Sequence, residues 1–274
     1  MSLDPHARTM PAGAGWISLG MRAPAVAGSI LFVLLAAACS RPLPAPLEQA
    51  PRSTAVTTAG PNQSMIHLAR VRGGVIVVDL GWWGAEDALD DGLEDLGATR
   101  KDVIAVFLTH AHRDHIGAWR AVAHAPFHMA EDEVEFFFGK EEPGGWIPRL
   151  ADWIVSRDVP APDEVEVRSF ASDTHFTFGA DTLYAFEVPG HTPGSAAYLF
   201  RGTLFAGDAI ARTPLLGFQP ARRGYSDDVD EARRSLEDLR ERLSDHEVRY
   251  VCSGHAECTE VTAEFWTEVL NGPF

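Results

Sequence analysis

From Val103 to Leu108 the chain reads Val-Ile-Ala-Val-Phe-Leu, and without a break it continues Thr109-His-Ala-His-Arg-Asp-His115. A short, continuous apolar run of this kind predicts a strand buried on both faces. Four side chains able to ligate a metal follow at its end. In an extended stretch His110 and His112 project to the same side, because side chains alternate, while Asp114 and His115 fall on the next turn and converge from another direction. Two isolated histidines would suit an ordinary solvated loop. Four donors where a core strand opens into a loop, with a helix expected after them, predict a layered α/β protein whose site lies at strand ends, where rigid elements fix ligands and loops give access.

Three more polar residues end apolar runs in the same way: His191 after Tyr-Ala-Phe-Glu-Val-Pro-Gly, Asp208 after Leu-Phe-Ala-Gly, and His255 after Tyr-Val-Cys-Ser-Gly. Each is preceded by glycine, where the backbone can turn sharply. Imidazoles and carboxylates together suit zinc, and also iron or manganese. Seven donors are more than one ion needs, so two divalent ions are expected. The other histidines, His6, His67, His124, His128, His175 and His246, have no comparable context.

The elements around these residues are legible from periodicity. Met65–Val71 and Gly73–Gly81 read as a hairpin. Residues 85–97 place Ala85, Leu89, Leu93 and Leu96 on one helical face, closed by Gly97. Short strands follow in Val-Glu-Val-Arg-Ser-Phe, His-Phe-Thr-Phe, Thr-Leu-Tyr-Ala-Phe-Glu-Val, Ala-Ala-Tyr-Leu-Phe and Thr-Leu-Phe-Ala-Gly, then an amphipathic helix over 228–244, a strand over 249–255 and a closing helix over 263–270. This is too strand-rich for one doubly wound sheet. Two sheets packed together with helices outside would bury both the strands and the helix stripes.

The motifs His-Ala-His-Arg-Asp-His, Gly-His-Thr-Pro-Gly-Ser, Gly-Asp-Ala around Asp208 and the terminal Ser-Gly-His resemble the metallo-β-lactamase superfamily, from Met65 to the C-terminus. The resemblance implies an α/β fold, an αββα sandwich of two mixed sheets flanked by helices. It implies that His110, His112 and His191 hold one metal ion, that Asp114, His115 and His255 hold a second, and that Asp208 bridges them. Asp79 falls at a supporting position near the site; a turn-forming aspartate at a strand end is the other reading. Two ions roughly 3.5 to 4 Å apart can share a hydroxide at neutral pH, which makes the expected chemistry hydrolysis, with Asp114 and Asp208 in catalytic roles and no serine or cysteine nucleophile.

The bridging aspartate resembles the thioesterases, lactonases and phosphodiesterases of this superfamily more than its β-lactamases, which carry cysteine or serine there. The expected function is therefore dinuclear, metal-dependent hydrolysis of a small ester, lactone or thioester. An exported β-lactamase is the alternative, favoured by Gly-His-Thr-Pro-Gly-Ser. A metal-binding lipoprotein without turnover is a second. Candidate substrate-lining residues are Trp82 and Trp83, Trp146 with Phe136 to Phe138, and Arg222, Arg223 and Tyr225; core packing or surface solvation are the competing roles.

At the N-terminus, Met21-Arg22 precedes an apolar run that ends on small residues at Cys39, which predicts an export signal over 1–38 with the true start possible at Met21. Leu-Leu-Ala-Ala-Ala-Cys-Ser resembles a lipoprotein signal with Cys39 as the lipidated residue; cleavage without lipid and an uncleaved anchor are the alternatives. Residues 39–64, rich in Pro, Ala, Ser and Thr, are expected to tether a hydrolase domain over 65–274 to a membrane surface at the cell envelope. The formal charge is −16, and removing Arg8, Arg22 and Asp4 with residues 1–38 leaves −17, which disfavours nucleic acid and suits a small-molecule substrate. Beyond Cys39, only Cys252 and Cys258 can pair within the chain. A disulfide and two unrelated thiols are both open.

Overall fold

The computed structural model describes residues 53–57, by backbone alone, together with 64–213 and 215–272. Cys39 and the export and lipid-attachment features lie outside the described residues. Two six-stranded sheets carry the fold. The first runs in the order β1 (Ser53–Thr57), β2 (Met65–Val71), β3 (Gly74–Val78), β4 (Val103–Phe107), β5 (Phe127–Ala130) and β6 (Val167–Phe170). The expected hairpin is β2 and β3, paired antiparallel with Val71 opposite Gly74. From β3 to β6 the pairing is parallel.

In the second sheet, β7 (Thr174–Phe178), β8 (Asp181–Glu187), β9 (Ala196–Phe200) and β10 (Thr203–Gly207) are followed across the sheet by β13 (Tyr250–Ser253) and β14 (Thr259–Glu260). Only the β10–β13 pair within it is parallel. A separate hairpin, β11 (Ile210–Thr213) and β12 (Gly217–Pro220), follows β10. The helices are α1 (Glu86–Asp95), α2 (Val134–Phe137), α3 (Trp146–Ile154), α4 (Val229–Arg242) and α5 (Phe265–Asn271).

The layering follows from strand alternation. In β3, Val75 and Val77 face outward to Leu89 and Leu93 of α1. Ile76 and Val78 face inward and share a cluster with Phe107, Leu183, Ala185 and Tyr198 between the sheets. On the far side Leu199, Leu204 and Val251 pack on Leu236 and Leu239 of α4 and Phe265 and Val269 of α5. Both faces of the central strands are covered, which explains why they read as unbroken apolar runs. The result is the αββα sandwich of two mixed sheets.

Two local differences from the sequence reading have physical causes, and one pairing left open by the sequence is decided. Ser53–Thr57, assigned by composition to the tether, pairs antiparallel along β2; its β-branched Thr54, Val56 and Thr57 suit a strand once a neighbour offers an unpaired edge. After His115 the chain forms a 3₁₀ turn, Trp119–Val122, and no α-helix. The turn is set by His115 N–H to His112 O at 2.9 Å and by Gly117 N–H to Gly81 O at 2.8 Å. Cys252 and Cys258 are joined in a disulfide. Among the described residues no helix is long and apolar enough to cross a membrane.

Candidate metal centre

All seven candidate ligands lie at one edge of the sandwich, where β4, β8, β10 and β13 end, and they form three overlapping groups. Nitrogens of His110, His112 and His191 make one; His110, His115 and Asp208 the next; Asp114, His115 and His255 the third; within each, the donor atoms are no more than 4.8 Å apart. His191 Nε2 stands 3.2 Å from His110 Nε2 and 3.0 Å from His112 Nδ1. Asp208 reaches both ends, with Oδ2 3.0 Å from His255 Nε2 and 3.7 Å from His191 Nε2, and Oδ1 3.6 Å from His115 Nε2. Asp114 Oδ2 is 3.5 Å from His255 Nε2.

For His110 and His191, the hydrogen bonds behind the ring decide which nitrogen carries a proton. Thr109 Oγ1 donates to Asp79 Oδ2 at 2.8 Å and so accepts from His110 Nδ1–H at 3.2 Å. Ser226 Oγ donates to Arg222 O at 2.8 Å and accepts from His191 Nδ1–H at 3.1 Å. Both Nε2 atoms are thereby left with lone pairs, and these face one another across 3.2 Å with no proton between them. A cation removes that repulsion. Tetrahedral bonds of about 2.0–2.1 Å would hold ligand nitrogens roughly 3.3 Å apart, close to the separations found. The donor set and its spacing fit a divalent metal ion.

Electrostatics point the same way. Burial, joined by the neighbouring imidazoles, holds His110 and His112 well below the usual histidine range and His191 down to about 4, so the three are neutral ligands at physiological pH. Burial also opposes charge on His115, but the field and hydrogen bond of Asp79, with Asp208 and Asp114 beyond, outweigh it and raise that imidazole. For Asp208, burial alone would raise the carboxyl; His255, His115 and His191 together hold it well below the carboxylate range. A site that draws a proton onto His115 by three carboxylates draws a divalent cation by the same field.

Asp79 is a buried support for the centre. It accepts Thr109 N–H and Oγ1–H, both at 2.8 Å, and His115 Nδ1–H at 2.9 Å. It therefore orients two of the histidines at once. Its φ of 57° is in the left-handed region, which aspartate tolerates.

One buried group escaped the sequence reading. Glu133, fully buried, accepts Ala111 N–H at 2.6 Å and Thr192 Oγ1–H at 2.7 Å, tying the loop of His110 and His112 to the loop of His191. Burial pushes its carboxyl up to about 7 against those hydrogen bonds. Nothing in Ala-Glu-Asp-Glu-Val-Glu singles it out from three acidic neighbours; only the fold turns it inward.

The expected substrate-lining residues divide. Phe136 and Phe137 are buried in the outer core, Phe137 stacked on Phe127, so core packing is the role of that pair. Phe136 also lies edge-on to His112 and beneath the Arg157 guanidinium. Phe138 and Trp82 are partly buried, Tyr225 likewise, while Trp83, Trp146, Arg222 and Arg223 are exposed.

The sequence pattern of the Metallo-beta-lactamase superfamily matches residues 59–255. The chain belongs to this superfamily. Among curated relatives, a probable polyketide biosynthesis zinc-dependent hydrolase of Bacillus velezensis is 25% identical over 152 residues, 54% of this chain and 55% of that protein. The uncharacterized protein YobT of Bacillus subtilis is 28% identical over 142 residues, 50% of this chain and 57% of its own length. The chain thus spans little more than half the length of these relatives. Solved structures agree on the metallo-beta-lactamase fold. The BLEG-1 B3 metallo-beta-lactamase superposes with a TM-score of 0.60 at 24% identity, over 80% of this chain and 100% of that one. A metallo-beta-lactamase family protein of Thermus thermophilus gives 0.60 at 22%, over 80% and 78%.

Two predictions arise from the geometry. A methyl group on Gly254 would collide with Asp208 Oδ1 and stand 2.5 Å from His115 Cε1. Gly254→Ala is expected to weaken zinc binding by roughly 10–100-fold, through displaced ligands, and to cost about 1–3 kcal/mol of stability. Calorimetric titration with zinc and chemical unfolding of the metal-free protein check both.

The second prediction concerns acid. Burial holds His67 and His128 at about 4, as it does His191. With folded values below the unfolded value near 6.5, the unfolded chain binds more protons in this window, so stability falls as pH drops from about 6.5 to 4. Glu133, His115, Glu187 and Asp227, raised on folding, act in the opposite direction but are outnumbered by these three with His110 and His112. The melting temperature of the metal-free protein is expected to decline steadily across that range in scanning calorimetry. A constant or rising value would contradict the assignment of neutral buried imidazoles.

Proposed function

We propose that this chain is a dinuclear metal-dependent hydrolase of a small, neutral or weakly charged ester, lactone or thioester, with zinc as the first candidate metal and iron or manganese as alternatives. The observation that carries the reading is Asp208, a carboxylate within reach of both imidazole groups. His110, His112 and His191 would hold one ion, Asp114, His115 and His255 the other, and Asp208 both. Divalent ions in such a site lower the pKa of water towards about 7 and polarise a substrate oxygen.

The chain's own groups supply the rest. The buried imidazoles of His110, His112 and His191 stay unprotonated and so keep their lone pairs on the centre. Asp114, set between Arg113 and His115, has a carboxylate oxygen facing His255 and can hold the proton of an attacking water in position. Asp79 and Ser226 fix the ring orientations from behind. None of the seven candidate ligands is a serine or cysteine, and the Ser226 hydroxyl is engaged by Arg222 O and His191 Nδ1, so water is the nucleophile in this reading.

Asp208 also argues against the β-lactamase alternative, because the β-lactamases of this superfamily usually carry cysteine or serine at that position. The relative from Bacillus velezensis, named a zinc-dependent hydrolase, supports the hydrolytic reading. A lipid on Cys39, holding the domain at the envelope surface, is the localisation proposed with it. Metal analysis of the protein loaded with zinc, iron or manganese in turn, with assays on esters, lactones, thioesters and β-lactams, tests the function. Two ions per chain with ester, lactone or thioester turnover are expected. One ion or none with every metal would sink the dinuclear reading, and β-lactam turnover alone would replace the substrate class.

A further inference from the structure

His255 is the most exposed of the seven candidate ligands. Its side chain is 33% exposed, against 18% for Asp208, 13% for Asp114, 1% for His191 and 0% for His115. His110 and His112 are buried. The loops of His110, His112 and His191 are joined through Glu133, and Asp79 holds the His115 ring. His255 lies on a segment of another kind. It follows Ser253-Gly254, and a glycine next to a ligand leaves the backbone many conformations unless the chain is closed around it.

Here the chain is closed. The disulfide joins cysteines six residues apart, Cys252 and Cys258, and His255 stands midway in the ring Cys-Ser-Gly-His-Ala-Glu-Cys. Both cysteines are anchored. Cys252, 1% exposed, lies in β13 opposite Phe205 of β10, the strand that delivers Asp208. Cys258, 4% exposed, packs in the same cluster between the sheets, with its sulfur 3.9 Å from His67 Nδ1 of β2. The His67 ring in turn lies against Phe205, with centroids 4.9 Å apart.

Near the start of the ring, Gly254 N–H donates to Gly207 O at 2.8 Å and Met65 N–H donates to Gly254 O at 2.9 Å. Past its end, β14 has two residues, Thr259 and Glu260, paired with Val251 and Tyr250. So short a pairing adds little hold of its own; the covalent bond is what returns the chain to β13. The outcome is His255 Nε2 placed 3.0 Å from Asp208 Oδ2 and 3.5 Å from Asp114 Oδ2. A closed ring has already given up the freedom that an open segment would lose on binding an ion, so the ligand is presented in place.

We propose that the Cys252–Cys258 disulfide positions His255, and that the second metal ion is held tightly only in the oxidised chain. The inference rests on the dinuclear reading above. In the oxidation the two thiols bond to each other through sulfur and give two protons and two electrons to an oxidising disulfide, which is reduced to two thiols. The ion on His110, His112 and His191 does not depend on the ring, so a chain kept reduced holds one ion and gains the second once oxidised. Burial of both sulfurs then keeps the bond from exchange with outside thiols.

The test is calorimetric zinc titration of the metal-free full chain, with His255→Ala marking which binding event belongs to the second ion. The disulfide is removed in two ways: by the double variant Cys252→Ala, Cys258→Ala, and by refolding the native chain with a phosphine reductant. Peptide mapping shows which form each sample holds, and unfolding curves show that each is folded. Two events are expected in the oxidised native chain. In both opened forms the His255-dependent event is expected to weaken about 10–100-fold, the scale of losing a group that orients a ligand, while the other stays within about threefold. Refolding the reduced chain in an oxidising glutathione buffer should restore it. Two events of native strength in the opened forms would overturn the proposal and leave the disulfide a fastening of the fold alone. Equal weakening of both events would also overturn it, as a general loosening of the domain. A single event in the oxidised native chain, unchanged by His255→Ala, would refute the dinuclear reading and the proposal with it.

Discussion

Asp208→Ala is expected to reduce bound metal from two ions to about one per chain and to lower kcat/KM by at least ~10³-fold, the scale on which a centre loses a charged group that acts directly on the reacting atoms. Among the described residues, Asp208 is the one carboxylate within reach of His191, His115 and His255 together. Without it, the His110, His112 and His191 group keeps three neutral nitrogens and can still hold an ion. Asp114, His115 and His255 lose the charge that links them to that group. Elemental analysis and steady-state kinetics of the variant, beside unfolding curves to show that it is folded, check the result. Retention of two ions with undiminished turnover would remove Asp208 from the centre.

The largest effect on stability is expected from Asp79→Ala. The side chain is 2% exposed and accepts three donors. Truncation leaves Thr109 N–H, Thr109 Oγ1 and the raised His115 imidazole buried without their acceptor, and breaking a buried charge pair in this way costs about 3–5 kcal/mol. Against a total of roughly 5–15 kcal/mol for a domain, that is a large fraction. Asp79→Asn separates folding from ligand orientation. Its NH₂ group would face either Thr109 N–H, at the Oδ1 position, or both Thr109 Oγ1 and His115 Nδ1, at the Oδ2 position, and all three now donate to the carboxylate. Turning His115 over to the other tautomer places a proton on Nε2, where the lone pair must face the centre. The asparagine variant is expected to be the more stable of the two and still to bind zinc 10–100-fold more weakly than the native chain. Denaturant unfolding and zinc titration of both variants read the two effects separately.

The fold was largely legible because the signals that carry it are local and redundant. Apolar runs bounded by glycine and proline read as strands, leucines at helical spacing as helices, and the strand count ruled out a single doubly wound sheet. The seven candidate ligands were legible because each ends an apolar strand, so burial of the strand delivers the side chain to the sheet edge. Where the reading missed, a distant partner decided. Ser53–Thr57 is a strand only because β2 leaves an edge for it. The turn after His115 is 3₁₀ because Gly117 packs against the backbone of Gly81 and Trp82. Phe137 belongs to the core because Phe127, ten residues earlier, lies beneath it.

Residue type and order by themselves determined the layered architecture, the superfamily resemblance and which side chains could ligate a metal, since donor chemistry and strand periodicity are properties of the local chain. Tertiary structure alone decided which nitrogen of His110, His115 and His191 faces the centre, because that depends on Asp79 and Ser226 arriving from other segments to engage Thr109, His115 and His191. It also decided that Glu133 joins two ligand loops, that Cys252 bonds Cys258, and that the apolar side of α3 looks outward. A helix carries its stripe in the sequence, but the direction of the stripe is set by the charges it meets, and here Arg113 and Arg157 hold Asp152 to the body and leave the tryptophans uncovered.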